Sequence, residues 1–184
     1  MKPSLQATVM ELNALAEKYS CDKLYFHSYI PFYSRLFHGR TVRVLVEIGI
    51  GYEELMAPLV PRYIHGSSLK MWKDFFPEAR IIGCDIREDV LFQEDRIECL
   101  QVDQTCKEDL MRLAAFKPDV IIDDGSHRTE DQIFTAQVLL PCLRPEGLYV
   151  IEDVKEPEKV IKAVGGMWVQ FPKRNDDCMV VIKP

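Results

Sequence analysis

Runs of consecutive apolar residues recur along this chain, and stretches with helical spacing separate them. Five of these runs occupy 42–50, 80–86, 96–103, 119–125 and 147–154 and are nearly continuously apolar. Strands of this kind are typical of a parallel sheet that helices cover on both faces, because every side chain of the strand is then buried. The pattern predicts an α/β fold.

The stretches between these runs predict helices. Apolar residues follow helical spacing at 67–76, 107–116 and 129–143, where they form one stripe that can be buried against the sheet. The region 5–38 predicts one or two further helices that pack outside the sheet.

Two weaker apolar runs near the end predict an antiparallel hairpin. They lie at 167–171 and 178–184, and the polar residues 173–177 separate them, as expected for two strands joined by a turn. The whole pattern predicts a doubly wound, Rossmann-like fold with a mostly parallel seven-stranded sheet and this C-terminal hairpin. We expect a single domain, in which 1–40 form a helical cap and 41–184 form the core.

Composition and charge narrow the classes of function. The chain has 184 residues, 47% of them apolar and 28% charged, as in an ordinary globular protein. Its net charge of −6 argues against a general nucleic-acid or membrane-surface binder, which would present a basic surface. No apolar run is long enough to span a bilayer, and the N-terminal stretch lacks the apolar core of a signal peptide. The six cysteines include no C-x-x-C pair, so we expect reduced thiols, no zinc ribbon and a cytoplasmic location.

Ligands of doubly wound sheets bind outside the carboxyl ends of the strands, so the residues that close each apolar run are the candidate site. The first run ends in VEIGIGYEE, where Gly49 and Gly51 permit a tight turn and a close approach of a ligand to the backbone. Glu54 stands where the dinucleotide-binding pattern has its third glycine. Glu47 and Glu54 would repel a pyrophosphate but not a cationic ligand. A plain strand-to-helix turn is the alternative.

The second and third runs end in polar residues suited to a nucleoside. Asp85 closes the second run, and an acidic residue there is placed to accept hydrogen bonds from both hydroxyls of a ribose. Asp103 ends the third run and Gln104 follows it, and both are within reach of an adenine edge. Each signal is weak alone, because an ordinary surface acid gives the same pattern.

Acidic residues close two strands that we expect to be neighbours. The fourth run ends in Asp123 and Asp124, and the fifth ends in Glu152 and Asp153. Neighbouring strands lie ~4.8 Å apart, and carboxylates that meet repel each other unless they are protonated or share a cation. Mg²⁺ or another hard divalent cation suits such a group, and His127 at the start of the next helix is placed to act as a general base. A solvated acidic rim with a helix-capping His127 is the alternative.

Taken together, these motifs resemble class I S-adenosylmethionine-dependent methyltransferases. More narrowly, the chain is similar to the metal-dependent sugar O-methyltransferases that decorate macrolide antibiotics. The matching stretches are LAEKYSCDKLYFHSYIPFY (15–33), VEIGIGYEE (46–54), GSSLKMWKDFFPEARIIGCDI (66–86), QVDQT (101–105), DVIIDDGSH (119–127) and LRPEGLYVIEDV (143–154).

The resemblance implies a role for each candidate residue in binding S-adenosylmethionine. Gly49 and Gly51 would lie under its methionine part, and Glu47 and Asp123 would lie beside its amino group. Three further contacts would be those of Asp85 with the ribose and of Asp103 and Gln104 with the adenine. The positions that close over the cofactor would be Asp22, Lys23 and Ser68.

The resemblance also implies the metal, the base and the acceptor site. Asp124, Glu152 and Asp153 would be the ligands of Mg²⁺, and His127 would be the catalytic base. A further three residues would lie near the entrance for the acceptor: His27, Tyr29 and Tyr33. The implied reaction is methylation of a hydroxyl on a sugar or glycosylated natural product in antibiotic biosynthesis. Homo-oligomerisation is left open.

Two other functions remain alternatives on the sequence alone. An NAD-dependent oxidoreductase would use Gly49, Gly51 and Asp85, although Glu54 counts against it. A catalytically silent methyltransferase-like subunit would keep the fold and assist a partner, although an intact His127 counts against that reading.

Overall fold

The strands of the sheet follow the apolar runs closely. The computed structural model describes residues 3–174 and 177–183, and these form eight strands. They are β1 Val44–Ile48, β2 Arg80–Asp85, β3 Gln93–Glu94, β4 Ile97–Gln101, β5 Val120–Asp123, β6 Leu148–Ile151, β7 Met167–Gln170 and β8 Cys178–Ile182.

The strands lie in the order β3-β4-β2-β1-β5-β6-β8-β7. β4, β2, β1, β5 and β6 are parallel to one another, while β8 is antiparallel to both β6 and β7. The predicted doubly wound fold and terminal hairpin are therefore confirmed. The sheet has eight strands rather than seven because β3 pairs with β4 through two residues only, too few to leave an apolar pattern. Asn175 and Asp176 of the predicted turn, and Pro184, lie outside the described residues.

Eight α-helices occur in the described residues. They are α1 Leu5–Lys18, α2 Asp22–Tyr25, α3 Ile30–Phe37, α4 Glu53–Met56, α5 Ser67–Phe75, α6 Lys107–Ala114, α7 Thr129–Leu139 and α8 Pro157–Val164. α1 begins where Ser4 Oγ accepts a hydrogen bond from the Ala7 amide at 3.2 Å, a standard N-cap. α4 and α8 were not predicted; the proline in the first turn of α8 was the available signal. In the described part of the chain, no helix has the length and apolar character needed to cross a membrane.

Helices cover both faces of the sheet. On one face, α1, α3 and α5 pack through Leu12, Tyr33 and Trp72 against residues of β1 and β2 such as Leu45 and Ile81. The other face is covered by α6, α7 and α8, and representative buried residues there are Leu110, Leu113, Ala136, Leu139, Val160, Val46, Ile82 and Ile121. The burial of strand residues on both faces explains their continuously apolar sequences.

The carboxyl ends of β1, β5 and β6 are aligned at one edge of the sheet. Ile48 is paired with Asp123, and Asp123 with Ile151. The ladder continues past the strand ends, since the Asp124 amide donates to the Ile48 carbonyl at 2.9 Å. Gly49, with a φ of 96°, turns so close to the neighbouring strand that a Cβ there would lie 2.1 Å from the Asp124 carbonyl oxygen. This edge therefore requires glycine at 49.

Replacing Gly49 by alanine should destabilise the fold more than the same change at Gly165. The two glycines have φ values of 96° and 80°, so alanine is strained at either position by roughly 1–3 kcal/mol. An alanine Cβ at position 49 would also clash with the Asp124 carbonyl oxygen, whereas no described atom lies within 4 Å of a Cβ at position 165. In urea denaturation, we expect Gly49→Ala to lose at least about 2 kcal/mol more of the free energy of unfolding. Equal losses in the two variants would contradict this requirement.

Candidate active site

A buried lysine lies between three of the acidic strand ends. The Nζ atom of Lys23, in the short helix α2, is 2.8 Å from Asp124 Oδ2, 2.8 Å from Glu152 Oε2 and 3.2 Å from Glu47 Oε1. Its side chain is fully buried. Burial alone lowers the pKa of Lys23, but the charges of the carboxylates outweigh burial and raise that pKa well above its ordinary value. Lys23 is therefore charged, and it neutralises part of the acidic cluster.

Glu47 is the innermost of these carboxylates and is fully buried in β1. Burial raises its pKa to about 7, against the opposing effect of Lys23. Although Lys23 is within ion-pair distance of Glu47, neither carboxylate oxygen has a hydrogen-bond partner among residues 3–174 and 177–183. Glu47 therefore keeps capacity to accept from another donor.

Asp124, His127 and Asp153 form a second, more exposed group. One ligand atom from each lies within 4.8 Å of the others, and His127 Nε2 is 3.9 Å from Asp124 Oδ1. Asp153 and His127 both adopt left-handed backbone conformations, with φ values of 51° and 53°, which turn their side chains at the strand end and at the entry to α7. His127 Nδ1 is buried without a hydrogen-bond partner in the described residues.

The electrostatics of this second group differ between its two carboxyls. Burial tends to raise the pKa of Asp124, but Lys23 and His127 outweigh burial and lower it below the ordinary value. Burial, together with the negative charge of Asp124, raises the pKa of Asp153. A cation beside both carboxylates would relieve that repulsion.

Two tyrosines predicted to lie near the acceptor entrance donate hydrogen bonds to the acidic cluster. Tyr33 OH in α3 donates a hydrogen bond to Glu152 Oε1, and Tyr29 OH donates to Asp153 Oδ1 at 2.5 Å. Glu152 is thus contacted by both Lys23 and Tyr33. The segment 22–33 therefore lies over the strand ends and supplies hydrogen-bond donors to their carboxylates.

His27 contacts an aspartate that sequence reasoning missed. Its Nδ1 lies 2.7 Å from Oδ1 of the fully buried Asp177 and 3.6 Å from Asp153 Oδ1. The imidazole stacks on Tyr29 with ring centroids 4.5 Å apart. Asp177 falls within the predicted polar turn 173–177, and no local pattern distinguishes it from an exposed turn residue.

A hydrogen bond to Asp85 holds the loop after β1 in place. Asp85 Oδ2 accepts from the Ile50 amide at 2.9 Å, and Oδ1 accepts from the Arg87 amide at 3.0 Å. Gly49 and Gly51 flank Ile50 with φ values of 96° and 75°. Asp85 therefore lies directly beside the glycine loop, as the predicted cofactor site requires.

Gln104 and Asp123 fix the turn that carries Asp124 and His127. Gln104 is buried; its Oε1 accepts from the Ser126 amide at 2.7 Å, and its Nε2 lies 3.3 Å from Asp123 Oδ1. Burial raises the pKa of Asp123 to about 7. Asp103, by contrast, is directed into its own turn, where it accepts from the backbone and hydroxyl of Thr105.

The remaining two predicted cofactor residues lie at the starts of helices. Asp22 is the first residue of α2, and its Oδ1 is 3.6 Å from the Cys21 thiol. Ser68 is buried in the first turn of α5. Within residues 3–174 and 177–183, neither forms a hydrogen bond or ion pair with the acidic cluster.

Comparisons with known proteins show a consistent relationship. No protein-family model matches the chain. Mycinamicin VI 2''-O-methyltransferase of Micromonospora griseorubida is 40% identical over 154 residues, which cover 78% of this chain and 36% of that protein. The 8-demethyl-8-alpha-L-rhamnosyl tetracenomycin-C 2'-O-methyltransferase of Streptomyces olivaceus is 37% identical over 150 residues, covering 78% of this chain and 38% of that protein.

A solved structure agrees with these relatives. The MycE methyltransferase from the mycinamycin pathway, in complex with Mg, SAH and mycinamycin VI, superimposes with a TM-score of 0.66 at 38% identity, covering 80% of this chain and 38% of that chain. The chain thus spans less than two fifths of the length of these relatives. The similarity to sugar O-methyltransferases that the motifs predicted is confirmed.

Removing the hydroxyl of Tyr33 should cost more stability than removing that of Tyr29. Tyr33→Phe leaves an oxygen of Glu152, whose side chain is 1% exposed, without this donor, at a cost of about 1–3 kcal/mol. Asp153 keeps 21% of its side chain exposed, so water replaces the donor lost in Tyr29→Phe. Urea denaturation of the two variants measures the difference. A larger loss for Tyr29→Phe would contradict this ranking.

Proposed function

We propose that this chain is the Rossmann-like domain of an S-adenosylmethionine-dependent and Mg²⁺-dependent O-methyltransferase. Its acceptor is a hydroxyl of a sugar or of a glycosylated natural product. The observation that carries the proposal is the convergence of Asp124, His127 and Asp153 at the carboxyl edge of the sheet. The similarity to enzymes named for sugar O-methylation in antibiotic pathways supports the choice of reaction and acceptor.

Several features of the edge are suited to S-adenosylmethionine. The buried oxygens of Glu47 have no hydrogen-bond partner in the described part of the chain, so they would accept from the cofactor's amino group. Gly49 and Gly51, with φ values of 96° and 75°, turn the backbone beside Glu47 and add no side chain of their own. Asp85 already accepts from two backbone amides, but a carboxylate has about four lone-pair sites, which leaves capacity for the ribose hydroxyls. Gln104 and Asp103 would border the adenine.

The donor set also suits a hard divalent cation. Carboxylate oxygens are the ligands that Mg²⁺ prefers, and Asp124 and Asp153 present such oxygens within 4.8 Å of each other. Glu152 would be the third ligand, through a lone pair that neither Lys23 nor Tyr33 uses. Tyr29 and Lys23, as donors to these carboxylates, would orient them as outer-shell partners do in metal sites.

The chain's own residues then place the acceptor and take its proton. When bound, the cofactor supplies a methyl group on a positively charged sulfur, and the cation lowers the pKa of the acceptor hydroxyl. His127 lies beside both Asp124 and Asp153, where it would accept the hydroxyl proton on a ring nitrogen. The carboxylate of Asp124, 3.9 Å from His127 Nε2, would stabilise the resulting imidazolium. The covered edge would hold the reacting groups in a fixed orientation.

Replacing His127 by alanine should abolish turnover without preventing cofactor binding. Loss of a general base lowers the rate about 100-fold or more, whereas the residues beside Gly49 are unchanged. His38→Ala is the matched control, because His38 contacts Thr8 of α1 instead of the acidic residues. Calorimetry with S-adenosylmethionine measures binding, and methyl transfer to a glycosylated macrolide measures turnover. Full activity in His127→Ala would contradict the assignment, and binding of NAD in place of S-adenosylmethionine would contradict the proposed function.

Removing divalent cations should stop the reaction reversibly. We expect EDTA to abolish methyl transfer and added Mg²⁺ to restore it. Asp153→Asn should weaken Mg²⁺ binding about tenfold or more, as measured by calorimetry. Asp89→Asn serves as the control, since Asp89 is an exposed aspartate paired with Arg87. Undiminished activity in EDTA, or equal Mg²⁺ affinity in the two variants, would contradict the metal assignment.

A further inference from the structure

One ammonium group contacts carboxylates from three different strand ends. Glu47 belongs to β1, while Asp124 follows β5 and Glu152 follows β6. The distances from Lys23 Nζ to these carboxylates are 3.2, 2.8 and 2.8 Å. Lys23 is brought there by α2, whose chain turns back through a hydrogen bond from the His27 amide to the Asp22 carbonyl.

Three carboxylates packed around one point need a compensating positive charge. Buried like charges either become protonated or move apart unless a cation lies between them. A buried charge is itself costly unless it is paired with good geometry, and Lys23 meets that condition through hydrogen bonds to Asp124 and Glu152. Lysine is therefore the resident cation of this inner layer, which we define as Lys23, Glu47, Glu152 and Asp124 Oδ2.

Asp124 connects this inner layer to the more exposed group. Its Oδ2 accepts from Lys23, and its Oδ1 is directed toward His127. We define the outer layer as Asp124 Oδ1, His127 and Asp153. A single carboxylate thus faces a fixed ammonium on one side and the candidate cation site on the other.

We infer that Lys23 is a positioning residue that acts as a permanent internal cation. It neutralises the inner layer, holds Asp124 and Glu152 in place, and thereby confines an exchangeable divalent cation to the outer layer, where only the lone pair of Glu152 that neither Lys23 nor Tyr33 uses reaches it from the inner layer. The statement about the outer layer rests on the proposed function, whereas the statement about the inner layer does not.

The variant Lys23→Met tests this role, because it keeps the length of the side chain and removes its charge. In EDTA, we expect it to melt roughly 10 °C or more below the wild type, as expected when a buried ion pair loses one partner. Mg²⁺ should then raise its melting temperature more than that of the wild type, because a divalent ion gains access to the uncompensated inner layer. Lys18→Met is the matched control, since Lys18 is an exposed lysine paired with Asp74; it should show neither effect.

A charge-compensated variant separates the electrostatic role from simple packing. Lys23→Met combined with Glu152→Gln should melt higher in EDTA than Lys23→Met alone and should gain less from Mg²⁺, because one negative charge has been removed with the positive one. If Lys23→Met does not fold, recovery of a folded double variant still supports the inference. Wild-type stability of Lys23→Met in EDTA, or no recovery in the double variant, would overturn it. Absence of Mg²⁺ binding to the wild type would refute only the proposed metal dependence, since the comparison in EDTA involves no metal.

Discussion

The compensation of three closely packed carboxylates by the ammonium of Lys23 is the interaction on which the rest of this structure depends. Parallel pairing of β1, β5 and β6 places Glu47, Asp124 and Glu152 at one edge, and without a cation their mutual repulsion would either protonate these groups or force them apart. The helical segment at 22–33 is therefore more than a cover for apolar surface. It brings the positive charge and the phenol donors that allow the acidic strand ends to remain close together.

The backbone around this cluster is as constrained as its side chains. Gly49 passes against the carbonyl of Asp124, and a Cβ at Gly125 would lie 2.1 Å from Gln104 Oε1. Gln104 in turn accepts from the Ser126 amide. The turn bearing Asp124 and His127 is thus fixed from two sides by the protein's own contacts. Such preorganisation is what a reaction that depends on the placement of two substrates requires.

Much of the fold was predictable because strands buried on both faces leave continuous apolar runs. The elements that were missed are β3, α4, α8 and one of the three helices within 5–38, where one or two were predicted. β3 and α4 are only two and four residues long, so they contain about one period of their pattern, too little for a repeat to be recognised. α8 has a recognisable proline in its first turn, but the helix is only eight residues long. Its apolar stripe is therefore too short to indicate a helix by itself. Prediction from the local sequence fails for an element whose stability comes mainly from its packing against the rest of the protein.

The sequence by itself determined which residues stand at the carboxyl ends of the strands, because that follows from the run of apolar positions and the rule for ligand sites in parallel sheets. The partners of those residues were decided only by the tertiary structure. Lys23 is 101 positions from Asp124 and 129 from Glu152, and His27 is 150 from Asp177. Contacts over such separations depend on how α2 and α3 pack across the sheet edge, and no periodicity in the chain encodes that packing. The physical reason is that burial and charge neutralisation are properties of the assembled cluster, not of any one of its segments.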